Sequence, residues 1–257
     1  MLIQSERGYL IIAQHSQSVD YVGCAHQLAR SIRHFHPNAK ICLLSDSHTQ
    51  PCNLFDYHRI FAHPLDPNPY ANDWQVFGIS PFRQTIKLEA DMIIASAIDH
   101  WWTMLEHKDL VISTGARDFY DQKTTNRWYR KIFDDNNLPD VYNAITYWRL
   151  SKTAQEFFQL VKTIFENWEQ YKTLLKFPDK IPSTDLVYAM VAQIMGPDQV
   201  TMPFVSYPRI VHMKRGIIPT SLQDWTQELT WESNPLRIQT VAQWGAVHYH
   251  QKAWRHD

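Results

Sequence analysis

The first 115 residues alternate between two hydrophobic rhythms. Tyr9-Leu10-Ile11-Ile12-Ala13 is an unbroken apolar run, which suits a strand buried on both faces of a parallel sheet. Between Val19 and Phe35 the apolar residues Val22, Ala25, Leu28, Ala29, Ile32 and Phe35 return at helical spacing, with Arg30, Arg33 and His34 turned to the other side. His36-Pro37-Asn38 stops that helix, and Ile41-Cys42-Leu43-Leu44 opens a second strand ending at Ser45-Asp46. Strand, helix and strand in this order make a right-handed crossover unit. Such a unit places both strand C-termini on one sheet edge.

A loop carrying Pro51, Pro64, Pro67 and Pro69 comes next. The pattern then predicts a helix over Phe82–Lys87 and strands over Leu88–Ile94, Asp109–Ser113 and Tyr142–Trp148. An amphipathic helix is expected over Ala154–Trp168. Ser183-Thr184-Asp185 is suited to cap a further helix reaching Met195, because a side-chain oxygen there satisfies free backbone donors. Between Gly115 and Pro139 the composition turns polar, basic and aromatic, as in a loop or lid. With no repeat, low-complexity tract or linker, residues 1–257 read as one α/β domain with a C-terminal elaboration.

Composition narrows the function classes. Hydrophobic residues make up 44% and charged residues 20%, a balance that fills a sizeable core. The formal charge of -1 removes any global basic field for nucleic acid or an acidic membrane. Ten Trp, twelve Tyr and twelve Phe fill a ring-rich core or supply stacking platforms for a base or sugar. Cys24, Cys42 and Cys52 lack the paired spacing of a zinc clamp or disulfide framework. No basic segment precedes an apolar one at the N-terminus, and no apolar run nears ~18 residues. A soluble, cytoplasmic protein without a membrane partner is therefore expected.

The segment TIKLEADMII carries the chemistry. Glu89 and Asp91, two apart on an extended chain, would point to one side and could hold an oxygen-loving cation such as Mn²⁺ or Mg²⁺. Such a cation neutralises charge on a leaving diphosphate. A carboxylate paired with Lys87, or capping a turn, accounts for the same residues without a metal.

LEADMII resembles the acidic Asp-x-Asp strand of GT-A glycosyltransferases, above all the glycogenin-like and galactosyltransferase-like retaining enzymes. Other segments fall in the same order. YLIIAQHS, CAHQLARSIRHFHP and ICLLSD resemble the nucleotide-binding half. VYNAITYWRLSKTAQEFF is similar to the stretch holding an Asn-Ala-Gly-like turn, a strand and a helix. STDLVYAMVAQ resembles the later Asp-led helix near the sugar, and VHYHQKAWR the closing His and Lys-Pro-Trp. This chain departs from the pattern with Glu89 for the first Asp, Ile145 for the turn's glycine and Ala253 for the tail's proline.

The resemblance implies a GT-A-like, Rossmann-like fold: a mixed, mostly parallel sheet flanked by helices. Residues 1–115 would be the nucleotide-binding half, and 116–257 the acceptor and sugar half with a metal-binding tail. It further implies metal-dependent transfer of a sugar from a nucleoside diphosphate sugar, such as a UDP-sugar, to a hydroxyl. Glu89, Asp91 and His248 would hold the divalent metal, with His250 and His212 as rival ligands. Ala13, Gln14 and His15 would line the base and ribose pocket beside Asp46. Lys87 and Lys214 would meet phosphate, unless Lys87 is spent on a salt bridge. Lys252 would assist the leaving diphosphate. Asn143 and Asp185 would serve at the sugar, Asp185 by bonding its hydroxyls or supporting the reacting face and as base if the reaction inverts; a plain helix cap accounts for Asp185 without any of this chemistry. Arg117, Lys123, Arg127, Arg130 and Lys131, interleaved with Phe119, Tyr120, Trp128 and Tyr129, suit either a lid or a DNA acceptor with an exposed base. That raises DNA modification at a hydroxymethylated base of the kind bacteriophages decorate. A nucleotidyltransferase would show a Gly-rich phosphate loop after the first strand, which AQHSQSVD lacks. A degenerate nucleotide- or nucleic-acid-binding protein is the non-enzymatic alternative.

Overall fold

The computed structural model describes residues 3–46, 52–117, 130–178, 180–202, 208, 210–213, 228–233, 236–241 and 245–249. Its strands are β1 (Ser5–Ala13), β2 (Ile41–Ser45), β3 (Tyr57–Ile60), β4 (Phe82–Glu89), β5 (Met92–Ile94), β6 (Leu110–Thr114), β7 (Val141–Arg149), β8 (Ile210–Met213), β9 (Glu228–Ser233), β10 (Leu236–Val241) and β11 (Ala246–Tyr249). Its helices are α1 (Tyr21–Phe35), α2 (Val76–Ile79), α3 (His100–Leu105), α4 (Lys131–Asp135), α5 (Lys152–Glu166), α6 (Trp168–Leu175), α7 (Thr184–Met195) and α8 (Pro197–Val200), with a 3-10 helix over Pro69–Gln75.

Six strands form the main sheet in the order β3-β2-β1-β4-β7-β6. The pairs β1–β2, β2–β3 and β1–β4 run parallel, and β7 runs antiparallel to both β4 and β6. One apolar layer packs α1 and α3 on the sheet, through Leu28, Ile32, Trp101 and Leu105. The other packs α5 and α7, through Phe157, Val161, Val187 and Val191. Both layers follow from the chain pattern: β1 is buried at Tyr9–Ile11 and Ala13, and α1 buries the stripe Cys24, Ala25, Leu28, Ala29 and Ile32. The side chains of Asp20, Ser151 and Ser183 each accept a backbone N–H three residues on, which fixes where α1, α5 and α7 begin.

Glycine is required at position 8. A Cβ there would lie 2.4 Å from the Phe82 ring and 2.7 Å from the Lys40 carbonyl oxygen. That contact lets β1 pack closely between its neighbours.

Two expectations need correction. Phe82–Lys87 is strand, not helix, and forms the middle of the sheet. Its polar residues disguised it: Thr85 is buried against the Ser80 hydroxyl at 2.7 Å, and Lys87 is buried against Asp73 at 2.8 Å. Interior polar groups are tolerated where partners satisfy them, and those partners are invisible in a local pattern. Leu88–Ile94 is likewise not one strand. The chain leaves β4 at Glu89, turns at Ala90-Asp91 and enters a second sheet of order β5-β11-β8. The loop holding Pro69 contains the 3-10 helix, opened by Asn68, whose side chain accepts from Tyr70 N–H. Among the described residues no helix is long and apolar enough to cross a membrane.

Candidate functional site

The parallel strands end on one edge, and there the acidic pair meets the tail. Cα registers place Ile12 opposite Glu89. Gln14 and His15 therefore follow the end of β1 beside the acidic pair. Strand β11 lies antiparallel on β5 with His248 opposite Met92, and Tyr249 N–H donates to the Asp91 carbonyl oxygen at 3.1 Å. Gly245 clamps the other end, accepting from Ala95 N–H at 2.7 Å and donating to the Ser96 hydroxyl at 2.7 Å. This anchoring brings His248 Nε2 to 3.4 Å from Glu89 Oε2 and 3.3 Å from Asp91 Oδ1.

Donor atoms of Glu89, Asp91 and His248 all lie within 4.8 Å of one another. With metal–oxygen bonds of roughly 2.1 Å, neighbouring corners of an octahedron are about 3 Å apart, so a hard divalent cation would sit among them with little rearrangement. Two carboxylates and one imidazole suit Mn²⁺ or Mg²⁺ rather than a thiophilic ion. The residues fit the metal. The i, i+2 argument for an extended chain does not hold, because the carboxylates converge through a turn and a long-range strand pairing.

The electrostatics of the cluster suit a cation. Burial pushes the Glu89 carboxyl up to about 7, opposed by His248 and Lys87 and reinforced by the negative charges of Asp91 and Asp185. Two close carboxylates with one imidazole form a site that gains by taking a cation.

Behind the triad runs a buried polar chain. Strand β7 bulges opposite Ile112/Ser113, so Asn143 leaves the β6 ladder. Its N–H donates to Asp185 Oδ1 at 2.7 Å, and its side-chain amide donates from Nδ2 to Glu89 Oε1 at 3.1 Å. The expected Asn-Ala-Gly-like turn is thus a bulged strand, which tolerates Ile145. The Asn143 carbonyl Oδ1 accepts from Lys87 Nζ, which also donates to Asp73 Oδ1 at 2.8 Å. Tyr188 Oη donates to the other Asp73 oxygen. Lys87 is therefore not placed to meet a diphosphate: it is completely buried and bound to Asp73 and Asn143.

Asp185 does not cap α7, a role Ser183 fills. Its second oxygen accepts from Arg130 Nη2 at 2.8 Å. Arg130 also donates to the Val141 carbonyl at 2.7 Å and lies over the Tyr142 ring at 3.7 Å. Being only 1% exposed, it leaves the set of surface cations suited to a phosphate backbone. Lys131 pairs with Asp135. At the base end, Ala13 is buried opposite Ser45, His15 N–H donates to Asp46 Oδ2 at 2.6 Å, and Gln14 Oε1 accepts from Asn72 Nδ2 at 3.3 Å. The backbone of His212 is in register with His248. Lys214, His250, Lys252 and, from the basic and aromatic segment, Phe119, Tyr120, Lys123, Arg127, Trp128 and Tyr129 lie outside the described residues.

Sequence reasoning missed Asp73, Tyr188 and the structural role of Arg130. The first had a usable signal, since Asn68-Pro69 marks a helix start that would have placed Asp73 on an ordered turn.

No protein-family model and no curated protein matches the sequence. Solved structures do match by fold. The galactosyltransferase LgtC, in complex with donor and acceptor sugar analogues, superposes over 97% of this chain and 88% of its own, at TM-score 0.54 and 13% identity. The fold is that of the GT-A glycosyltransferases. Apo mouse xyloside xylosyltransferase 1 matches 77% of this chain and 84% of its own, at TM-score 0.49 and 9% identity. GlyE of Streptococcus pneumoniae TIGR4, a glycosyltransferase, matches 77% of this chain and 45% of its own, at TM-score 0.46 and 9% identity.

Proposed function

We propose that this chain is a divalent-metal-dependent glycosyltransferase, moving a sugar from a nucleoside diphosphate donor to a hydroxyl acceptor. The observation that carries this reading is the convergence of Glu89, Asp91 and His248 at the edge where β1 and β4 end. These three residues would hold Mn²⁺ or Mg²⁺, and the metal would neutralise charge on the leaving diphosphate. Gln14 and His15, with His15 N–H held by Asp46, would receive the base and ribose of a donor such as a UDP-sugar. Lys214 and Lys252 would meet the diphosphate from the tail. Asn143 and Asp185 would position the sugar, since an ionised carboxylate has acceptor capacity beyond the bonds from Arg130 and Asn143. Both Asp185 oxygens already accept a bond, one from Arg130 and one from Asn143 N–H, so we read the reaction as taking a retaining course, which needs no strong enzyme base. Residues 1–115 would be the donor half and 116–257 the acceptor half.

For the acceptor, the basic and aromatic residues of 115–135, less Arg130, favour a hydroxymethylated DNA base. A gel shift at low salt that is lost at raised salt and weakened in Arg127→Ala supports that acceptor; no shift at low salt rejects it. A thermal-shift panel tests the reaction class. Nucleoside diphosphates and their sugars should raise Tm only with Mn²⁺ present, and Asp91→Ala should abolish both that shift and donor turnover. Binding without any turnover of a nucleotide sugar would identify a degenerate binding protein instead.

A further inference from the structure

The buried pair Asp73–Lys87 has no part in the chemistry above, yet it is linked to a metal-ligating carboxylate through one amide. A protonated lysine only donates, and an ionised carboxylate only accepts. Asn143 stands between them, with Oδ1 on Lys87 Nζ and Nδ2 on Glu89 Oε1. With Glu89 ionised, as metal binding requires, only one orientation of the amide satisfies both neighbours. Reversed, it would set its NH₂ against the ammonium and its oxygen against the carboxylate. With Oε1 held by Asn143, Glu89 presents Oε2 to His248 at 3.4 Å.

We propose that Asp73 and Lys87 are positioning residues that act through Asn143, locking its amide so that Glu89 is held ready to bind the metal. This rests on the metal reading of Glu89, Asp91 and His248. Lys87 is fully buried, and Asp73, itself 8% exposed, supplies the counter-charge. Tyr188 occupies the remaining Asp73 oxygen and lies with its ring 5.5 Å from Lys87 Nζ, closing the lock on the α7 side. The lock joins the 3-10 helix, β4, β7 and α7, so elements remote in sequence determine one carboxylate rotamer. Partners of metal ligands commonly change affinity by about 10–100-fold when removed.

The test is a double-mutant cycle on the metal-free protein, read by Mn²⁺ affinity from the free-ion EPR signal. Lys87→Met should weaken Mn²⁺ binding by about tenfold, and Asn143→Leu should do the same. Lys87→Met added to Asn143→Leu should cost nothing further, because the link is already cut. Lys87→Gln keeps a donor for Oδ1 and should recover most of the affinity. Independent, multiplying losses, or unchanged affinity in folded Lys87→Met, would overturn the lock. If Lys87→Met does not fold, Asn143→Leu keeps the Asp73–Lys87 pair and decides the matter: unchanged Mn²⁺ affinity overturns the proposal. A metal-free arm separates the two readings. The Asn143 side-chain NH₂ should exchange slowly with solvent in the wild type, read by ¹⁵N–¹H NMR, and faster in Lys87→Met, where the carbonyl end of the amide is released. That result without Mn²⁺ binding in the wild type would refute the metal reading while supporting the lock on Glu89; exchange unchanged by Lys87→Met would refute the lock.

Discussion

Two parts of the molecule supply the triad, and they are built differently. Glu89 and Asp91 come from the end of β4, a strand flanked by β1 and β7 and underlaid by the Asp73–Lys87–Asn143 chain. His248 comes from β11, a short strand of the separate sheet, aligned by its pairing with β5 and β8 and by the contacts of Gly245 and Tyr249. The acidic side is rigid because every buried polar group named along it has a partner. The histidine side is added late in the chain and stays in place through backbone bonds to the very turn that carries Asp91. The carboxylate pair and the histidine thus depend on different contacts, side-chain partners for the one and backbone strand pairing for the other.

Substitutions can break that contrast. The largest effect is expected from Asp91→Ala, which removes a nearly buried carboxylate (8% side-chain exposure). Mn²⁺ affinity, read by EPR or calorimetry, should fall by at least about 100-fold, with little loss of Tm in the metal-free protein. His248→Ala should cost less, about tenfold, because the acidic side remains assembled. Equal losses from the two would contradict the asymmetry.

The next effect concerns pH. Glu89 is pushed up to about 7, chiefly by burial, above its ordinary value of 4.5. Protons therefore compete for it, and Mn²⁺ affinity should fall about tenfold per pH unit as pH drops below that point. The sign for the metal-free protein is the reverse of the usual carboxylate case. Its contribution to stability is fully present below 4.5 and is lost as pH rises through about 7. Glu89→Gln should remove that loss and flatten the Tm profile between those values.

Away from the site, Gly8→Ala should destabilise by about 1–3 kcal/mol through the Phe82 ring and Lys40 carbonyl, while leaving Mn²⁺ affinity unchanged. The smallest effect belongs to Asp56. Burial raises its carboxyl, but hydrogen bonds from Lys40, Ile41 N–H and Arg33 outweigh this and hold it below its ordinary value. Its stabilisation is present above the ordinary value near 3.8 and is lost as pH falls through the lower folded one. Lys40→Ala should barely shift Tm, since its ammonium reaches only Asp56 among the described residues and its side chain is about half exposed.

The same contrast explains what could be read from the chain. β1, α1, β2 and α5 announce themselves by apolar period, and Ser183 by its capping chemistry, because each depends on near neighbours in sequence. β4 did not, since Thr85 and Lys87 look like surface residues until Ser80 and Asp73 are seen beside them. The acidic pair was legible as residue types but not as geometry: its convergence depends on the Ala90-Asp91 turn and on a strand more than 150 residues later. Choosing His248 over other histidines required the family resemblance, as periodicity cannot pair β11 with β5. Asp73 went unread because its role is to neutralise a lysine fourteen residues away, across a strand boundary.

The most direct measurement is a titration of the wild-type protein with Mn²⁺, followed by EPR before and after adding a nucleoside diphosphate. The account predicts one tightly bound ion, a spectrum altered by the diphosphate, and loss of both in Asp91→Ala. An unaltered free-ion spectrum throughout, with Glu89, Asp91 and His248 simply paired to one another, would contradict it.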